Sequence, residues 1–210
     1  MSLEITWLGH ASFRISDGEY VIYIDPWKLT DTEPAADAIF VSHEHYDHFS
    51  MEDIKKISKD STRIFAPSAL ADQIPGATGV APGQTAQIDK TRLEFTASYN
   101  VNKYFHPKED LWVGVVVEIL GKRVYYAGDT DLIPEMSELR DIDLALLPVG
   151  GTYTLDAIEA AQACKIIKPK LAMPYHFGDI VGAVNDAELF AQNAPCKVAV
   201  LKPGEKFLLD

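Results

Sequence analysis

The stretch Ser42-His43-Glu44-His45-Tyr46-Asp47-His48 decides how the rest of this chain is read. It leaves Ala38–Ser42, a short apolar run suited to a buried strand. On an extended chain residues i and i+2 point the same way, so His43 and His45 can share one metal ion. Asp47 and His48 follow where the chain turns toward a helix, and can serve a neighbouring ion. Imidazole and carboxylate suit zinc, manganese, iron or nickel, and the lack of a nearby thiolate disfavours a structural zinc finger. A solvated His-rich loop is a poor account of three histidines and an aspartate within residues 43–48 at a strand end.

Outward from this cluster the N-terminal quarter reads as strands: Leu3–Leu8, Ser12–Ile15 and Tyr20–Asp25, with Asp17-Gly18 as a hairpin signal. A helix is expected from Ser50, with Asp53 as its capping-box partner. Arg63–Ala66 suits a strand and Ser68–Gln73 a short helix stopped by Pro75-Gly76. Thr85–Ile88 with Arg92–Ala97, then Val113–Leu120 with Lys122–Ala127, suit strand pairs, and Asp141–Leu147 a further buried strand. Elements then alternate: helix Thr154–Lys168, strand Leu171–Pro174, helix Asn185–Gln192, strand Lys197–Leu201. The small-residue face Ala157, Ala160, Ala161, Cys164 and Ile167 makes Cys164 a buried apolar residue rather than a nucleophile. Helices interspersed among strands imply an α/β or α+β sandwich. No linker or repeat divides the 210 residues, so residues 1–210 are taken as a single domain.

Composition narrows the function. Nineteen basic residues against 31 acidic ones give a net charge of −12, which argues against a general affinity for nucleic acid or an anionic membrane. No apolar run approaches the ~20 residues that cross a bilayer. Two cysteines and an N-terminus without a signal-peptide pattern fit a reducing, cytoplasmic setting. The partner expected is a small molecule; association with further copies of the chain stays open.

Two distant segments repeat the arrangement of a strand that delivers a ligand. Val124-Tyr-Tyr-Ala-Gly-Asp129-Thr130 places a carboxylate after a strand, and Leu171-Ala-Met-Pro-Tyr-His176 an imidazole. Alone, Asp129 could cap a turn and His176 could be a satisfied polar residue; beside the first cluster both favour ligation.

The His-x-His-x-Asp-His pattern at 43–48, Gly-Asp-Thr at 128–130 and the late His176 together resemble the metallo-β-lactamase superfamily. The opening Thr6-Trp-Leu-Gly-His-Ala-Ser-Phe13 is similar to the branch holding small metal-dependent hydrolases, ascorbate-phosphate lactonases and N-acyl-ethanolamine phospholipases. The resemblance implies a four-layer αβ/βα sandwich with the metals at one edge. It implies that His43 and His45 hold a first metal, that Asp47, His48 and His176 hold a second, and that Asp129 bridges them. In this superfamily a further histidine usually comes from the segment before Asp129. Here Asn100 lies 29 residues before it and His106 lies 23 before it. Donor chemistry favours His106, whereas position after a strand partly favours Asn100. His106 is expected to enter the metal pocket as ligand or general acid.

Two divalent cations, zinc or manganese first and iron or nickel next, can hold a bridging water and lower its pKa from ~15.7 toward neutrality. The expected reaction is hydrolysis of an ester, lactone or phosphoester of a small anionic substrate, with Asp47 orienting the metal-bridging hydroxide. Asn100, Lys103 and His10 are candidate substrate contacts, and Lys108 with Lys103 could attract an anionic group. Trp27 is expected to pack, and Tyr153 and Tyr175 to pack or to line a pocket. The alternatives are a di-iron redox protein reducing oxygen or nitric oxide with a separate electron donor, and a metal-binding scaffold without activity.

Overall fold

A computed structural model describes residues 2–210. Packing gathers the chain into two compact units, residues 2–80 with Leu201–Asp210, and Ala81–Val200.

The first unit contains β1 (Leu3–Gly9), β2 (Ser12–Ser16), β3 (Val21–Ile24), β4 (Ala38–Phe40), α1 (Met51–Ile57), β5 (Arg63–Pro67), α2 (Ser68–Ala71), β6 (Ala77–Val80) and, from the chain's end, β14 (Lys206–Leu209). Its sheet runs β14-β1-β2-β3-β4-β5-β6, antiparallel as far as β3 and parallel beyond it. The hairpin at Asp17-Gly18 forms as expected: Asp17 Oδ1 accepts from the amides of Glu19 and Tyr20, and Gly18 takes φ +97°. Ile39, Val41, Ile54, Ile57, Ile64, Leu70 and Ile74 pack together with Tyr23 as a core. In parallel register Ile24 pairs with Phe40 and Phe40 with Phe65, so Asp25 and Val41-Ser42 leave the sheet at one edge.

Ser50 caps α1, its Oγ accepting from the Asp53 amide at 3.2 Å. The other half of the expected capping box is absent. The Asp53 carboxylate instead accepts from the amides of Lys28 and Leu29, at 2.9 and 3.1 Å. Lys28 has φ +53°, and this left-handed turn presents two consecutive amides that one carboxylate can satisfy together.

The second unit contains β7 (Thr85–Ile88), β8 (Thr91–Ala97), β9 (Val113–Ile119), β10 (Lys122–Tyr126), β11 (Leu144–Pro148), α3 (Ala157–Ile167), β12 (Leu171–Tyr175), α4 (Val184–Asn193) and β13 (Lys197–Val198). Its sheet, β13-β12-β11-β10-β9-β8-β7, repeats the plan: antiparallel from β7 to β10, parallel from β10 to β13. Every residue of β11 is buried, which explains its uninterrupted apolar run. β11 begins later than expected because Asp141 takes φ +54°, outside strand geometry, and the Asp143 carboxylate is engaged by the Arg123 amide and the Lys170 ammonium.

The Asp156–Glu159 capping box starts α3, whose buried face carries Ala157, Ala160, Ala161, Cys164 and Ile167. Burial pushes the Cys164 thiol above its usual range, which suits a packing residue and not a nucleophile. Two short strands, β6 and β14, escape the sequence reading. β6 is largely exposed and lacks an apolar face, and β14 gains its partner, β1, only by a pairing across almost the whole chain. Among the described residues no helix is long and apolar enough to cross a membrane.

Candidate metal centre

In the first unit the site grows from the carboxyl ends of parallel strands, where open α/β sheets place their ligands. Past β4, burial alternates as expected for an extended segment: His43 is buried, Glu44 exposed, His45 half-buried and Tyr46 exposed. The amides of His48 and Phe49 then donate back to the His45 carbonyl, at 2.9 and 2.8 Å. That turn brings Asp47 and His48 back into the protein, both buried.

Asp25, immediately after β3, organises this half. Wholly buried and at φ +45°, it accepts from the Ser42 amide at 2.7 Å, the Ser42 hydroxyl at 2.5 Å and His48 Nδ1 at 2.7 Å. These bonds assign the histidine protons. His48 Nδ1–H donates to a carboxylate, which leaves a lone pair on Nε2. Ser42 spends its one proton on Asp25, so at 2.9 Å from His43 Nδ1 its oxygen accepts, and His43 likewise keeps its lone pair on Nε2. His43 Nε2 lies 3.1 Å from His45 Nδ1, and the His48 ring centroid lies 4.0 Å from that of His43. His10, buried at the end of β1, donates from Nε2 to Asp47 Oδ2 at 2.9 Å, and Asp47 Oδ2 lies 3.9 Å from His48 Nε2. Trp27 packs its ring 5.4 Å from that of His10, as expected of a packing residue.

In the second unit the same logic uses other residues. Asp129 follows β10 through Gly128, at φ +69°, where an added Cβ would lie 2.6 Å from Ser98 Oγ. The Tyr175 hydroxyl donates to the Gly128 carbonyl at 2.6 Å, its ring stacking on Tyr126. Tyr175 therefore packs. His176 follows β12 at φ +62°, and its Nε2 lies 3.0 Å from Asp129 Oδ2. His106 Nε2 lies 3.5 Å from the same oxygen, and His106 is buried with its ring packed on Trp112.

Asn100 orients His106. Its Oδ1 accepts from His106 Nδ1 at 3.0 Å and from the His106 amide at 3.1 Å, so the His106 lone pair also sits on Nε2. Its Nδ2 donates to Asp131 Oδ1 and to the Tyr153 carbonyl. The carboxamide is thus bonded within the protein through both its oxygen and its nitrogen.

Lys103 and His10, the other expected substrate contacts, also have partners within the chain. Lys103 is paired with Asp131 and bonded to the Thr154 carbonyl, and His10 holds Asp47. Lys108 is paired with Glu135 at 2.8 Å, which with the Tyr99 hydroxyl holds its pKa above the usual lysine value. Asp25 and Asp131 escaped the sequence reading. For Asp25 the signal was present, a strand ending in Asp-Pro at 25–26, the pattern that singled out Asp129.

The donor set fits divalent metal. In His43, His48 and His106 an oxygen holds Nδ1–H and aims the Nε2 lone pair away, the arrangement that orients a ligating imidazole. His106 Nε2 and His48 Nε2 then face carboxylate oxygens, lone pair toward negative charge, an arrangement that a cation stabilises. Nitrogen and oxygen donors without thiolate suit zinc, manganese, iron or nickel.

The model of the beta-lactamase superfamily domain matches residues 4–176. The chain belongs to the metallo-β-lactamase superfamily. A relative from Symbiobacterium thermophilum, named a metal-dependent hydrolase, is 34% identical over 229 residues, covering 99% of this chain and all of the relative. Another metal-dependent hydrolase, from Staphylothermus marinus, is 35% identical with 97% of each chain covered. Among solved structures, a Parabacteroides distasonis protein is 31% identical and superposes with a TM-score of 0.87 over 97% of this chain and 94% of its own. A metallo hydrolase from Ignicoccus hospitalis is 26% identical, with a TM-score of 0.82 over 100% and 99% of the two chains. The α/β fold expected from the superfamily resemblance is therefore the fold of this chain, which is an enzyme of the metal-dependent hydrolase class.

Proposed function

We propose that the whole chain is one hydrolase domain with a dinuclear centre, zinc or manganese, that cleaves an ester, lactone or phosphoester of a small molecule. In this reading His43, His45 and His106 serve the first metal, Asp47, His48 and His176 the second, and Asp129 both. When bound, such ions supply a nucleophile from water at neutral pH and polarise the scissile oxygen. The observation that carries the reading is the shared treatment of His43, His48 and His106, each with an oxygen at Nδ1, which puts the lone pair on Nε2.

The chain's own residues contribute positioning and proton handling. His10 Nε2–H fixes one oxygen of Asp47, so Asp47 meets the reacting water in one orientation and can take its proton. Asp25 keeps His48 in a single tautomer through its bond to Nδ1. Asn100 does the same for His106, which favours ligation over a general-acid role, since a ligating nitrogen carries no transferable proton.

Metal analysis of protein prepared without chelator and reconstituted with zinc or manganese tests the stoichiometry. The expected plateau is two equivalents per chain, and a plateau below one overturns the dinuclear centre. Asp47→Ala is expected to remain folded while losing most turnover of any ester or phosphodiester that the wild type cleaves. Near-normal kcat in that variant would remove Asp47 from the mechanism.

A further inference from the structure

Next to the second unit's ligands, the chain from Asn100 to His106 closes on itself, the Asn100 amide donating to the His106 carbonyl at 2.7 Å. The Asp131 carboxylate anchors the near side of this loop, accepting from Asn100 Nδ2, from the amides of Val101 and Asn102, and from Lys103. A loop so held presents its outer side chains in a defined place. Those side chains are apolar: Val101 is 54% exposed, Tyr104 97% and Phe105 47%. Phe105 directly precedes His106 and meets the Tyr153 ring edge-on, with centroids 4.6 Å apart.

Three large apolar side chains within five residues, held in water by a polar anchor beside a histidine donor, form a surface that gains by covering. The nearby lysines add no unmatched positive charge, because Lys103 and Lys108 are paired with Asp131 and Glu135. This weakens the expectation of an anionic substrate, which rested on those two lysines.

We propose that Tyr104, Phe105 and Tyr153 form a clamp for an apolar acyl or aryl group of the substrate, making it an ester or lactone of an apolar acid. The proposal rests on the hydrolase reading above and names the substrate class of that site. Because the anchor orders the loop beforehand, little ordering entropy is lost when the group docks. Each methylene taken from water is worth ~0.8 kcal/mol, or about fourfold in affinity when fully buried.

The test uses the metal-loaded full chain and a homologous series of simple carboxylates, acetate, butyrate, hexanoate, octanoate and phenylacetate, titrated calorimetrically. In parallel, kcat/KM is measured for the matching p-nitrophenyl esters. Affinity is expected to rise two- to fourfold per methylene, and the rise is expected to collapse toward the acetate value in Tyr104→Ser/Phe105→Ser with metal content intact. Tyr104→Ser alone, at an almost fully exposed position, is expected to lose part of the rise without any effect on folding. A flat series in the wild type, or a rise that survives the double variant, overturns the clamp. Ester turnover with a flat series overturns the clamp but leaves the hydrolase reading standing. A clamp-dependent rise without turnover of any of these esters, or of the matching lactones and phosphodiesters, supports the clamp and sinks that reading. If the double variant only dissociates an oligomer in sedimentation, with the series unchanged, the patch is a contact between copies and the proposal is wrong.

Discussion

Each unit places its candidate ligands by the same architectural step but with different amounts of local sequence. In the first, His43, His45, Asp47 and His48 fall within one short segment after β4, and the orienting group is a buried carboxylate, Asp25. In the second, His106, Asp129 and His176 are spread over 71 positions (176 − 106 + 1), and the orienting group is a neutral carboxamide, Asn100. Strand direction explains how both succeed, since β3 and β4 in one sheet, and β8, β10 and β12 in the other, run the same way. Such strands end at one edge of their sheet whatever the spacing in sequence, so ligands gather there from one loop or from several.

The sharpest way to break this comparison is to remove the donor that the proposal shares between metals. Asp129→Ala is expected to reduce kcat/KM by ~10³-fold or more and to lower metal content, read by elemental analysis. A variant that retains both would show that the second unit contributes no ligand of consequence. The next effect separates the two orienting groups. Asp25→Asn is expected to weaken metal affinity by ~10–100-fold, and Asn100→Ala by the lower end of that range, since a charged partner raises imidazole basicity more than an amide does. Equal losses in competition titrations with a chelator would show that the charge difference between the halves has no consequence.

Backbone geometry supplies a smaller effect. Gly128→Ala combines φ +69° with a 2.6 Å approach to Ser98 Oγ, so a destabilisation of ~1–3 kcal/mol is expected in chemical denaturation. The smallest effect serves as a control away from the ligands. The bidentate Arg123 bond holds the Glu94 carboxyl below its usual pKa, against the opposing pull of burial. A lowered folded-state pKa stabilises above the unfolded value and ceases to do so as pH falls through the folded one. Arg123→Gln is therefore expected to cost ~0.5 kcal/mol near neutrality, because this half-buried pair still meets solvent, which screens it. The difference from wild type should shrink under acid, with metal content unchanged. Loss of metal in this variant would show that the second unit's ligands depend on this ion pair, at the opposite end of β10 from Asp129.

Much of the fold was legible because its signals are local. Alternating β-branched residues, Asp17-Gly18 and the small-residue face of α3 each act over a few positions, and each element formed within about three residues of its expected bounds. The capping box at Ser50 was half right, because Asp53 found better partners in a turn 24 residues earlier in the chain. β14 was invisible because Lys206–Leu209 becomes a strand only against β1.

The sequence by itself determined which chemistry is available: six histidines, of which three fall within residues 43–48, two aspartates at strand ends, and no thiolate among them. Those residue types and spacings follow from the periodicity of an extended chain, which one dimension carries. Tertiary structure alone decided which polar groups hold the donors. Asn100 became the orienter of His106, His10 the partner of Asp47, and Lys103 the partner of Asp131. A hydrogen bond is set by distance and direction between atoms far apart in sequence, and buried polar groups take whichever partner the packed strands bring within reach.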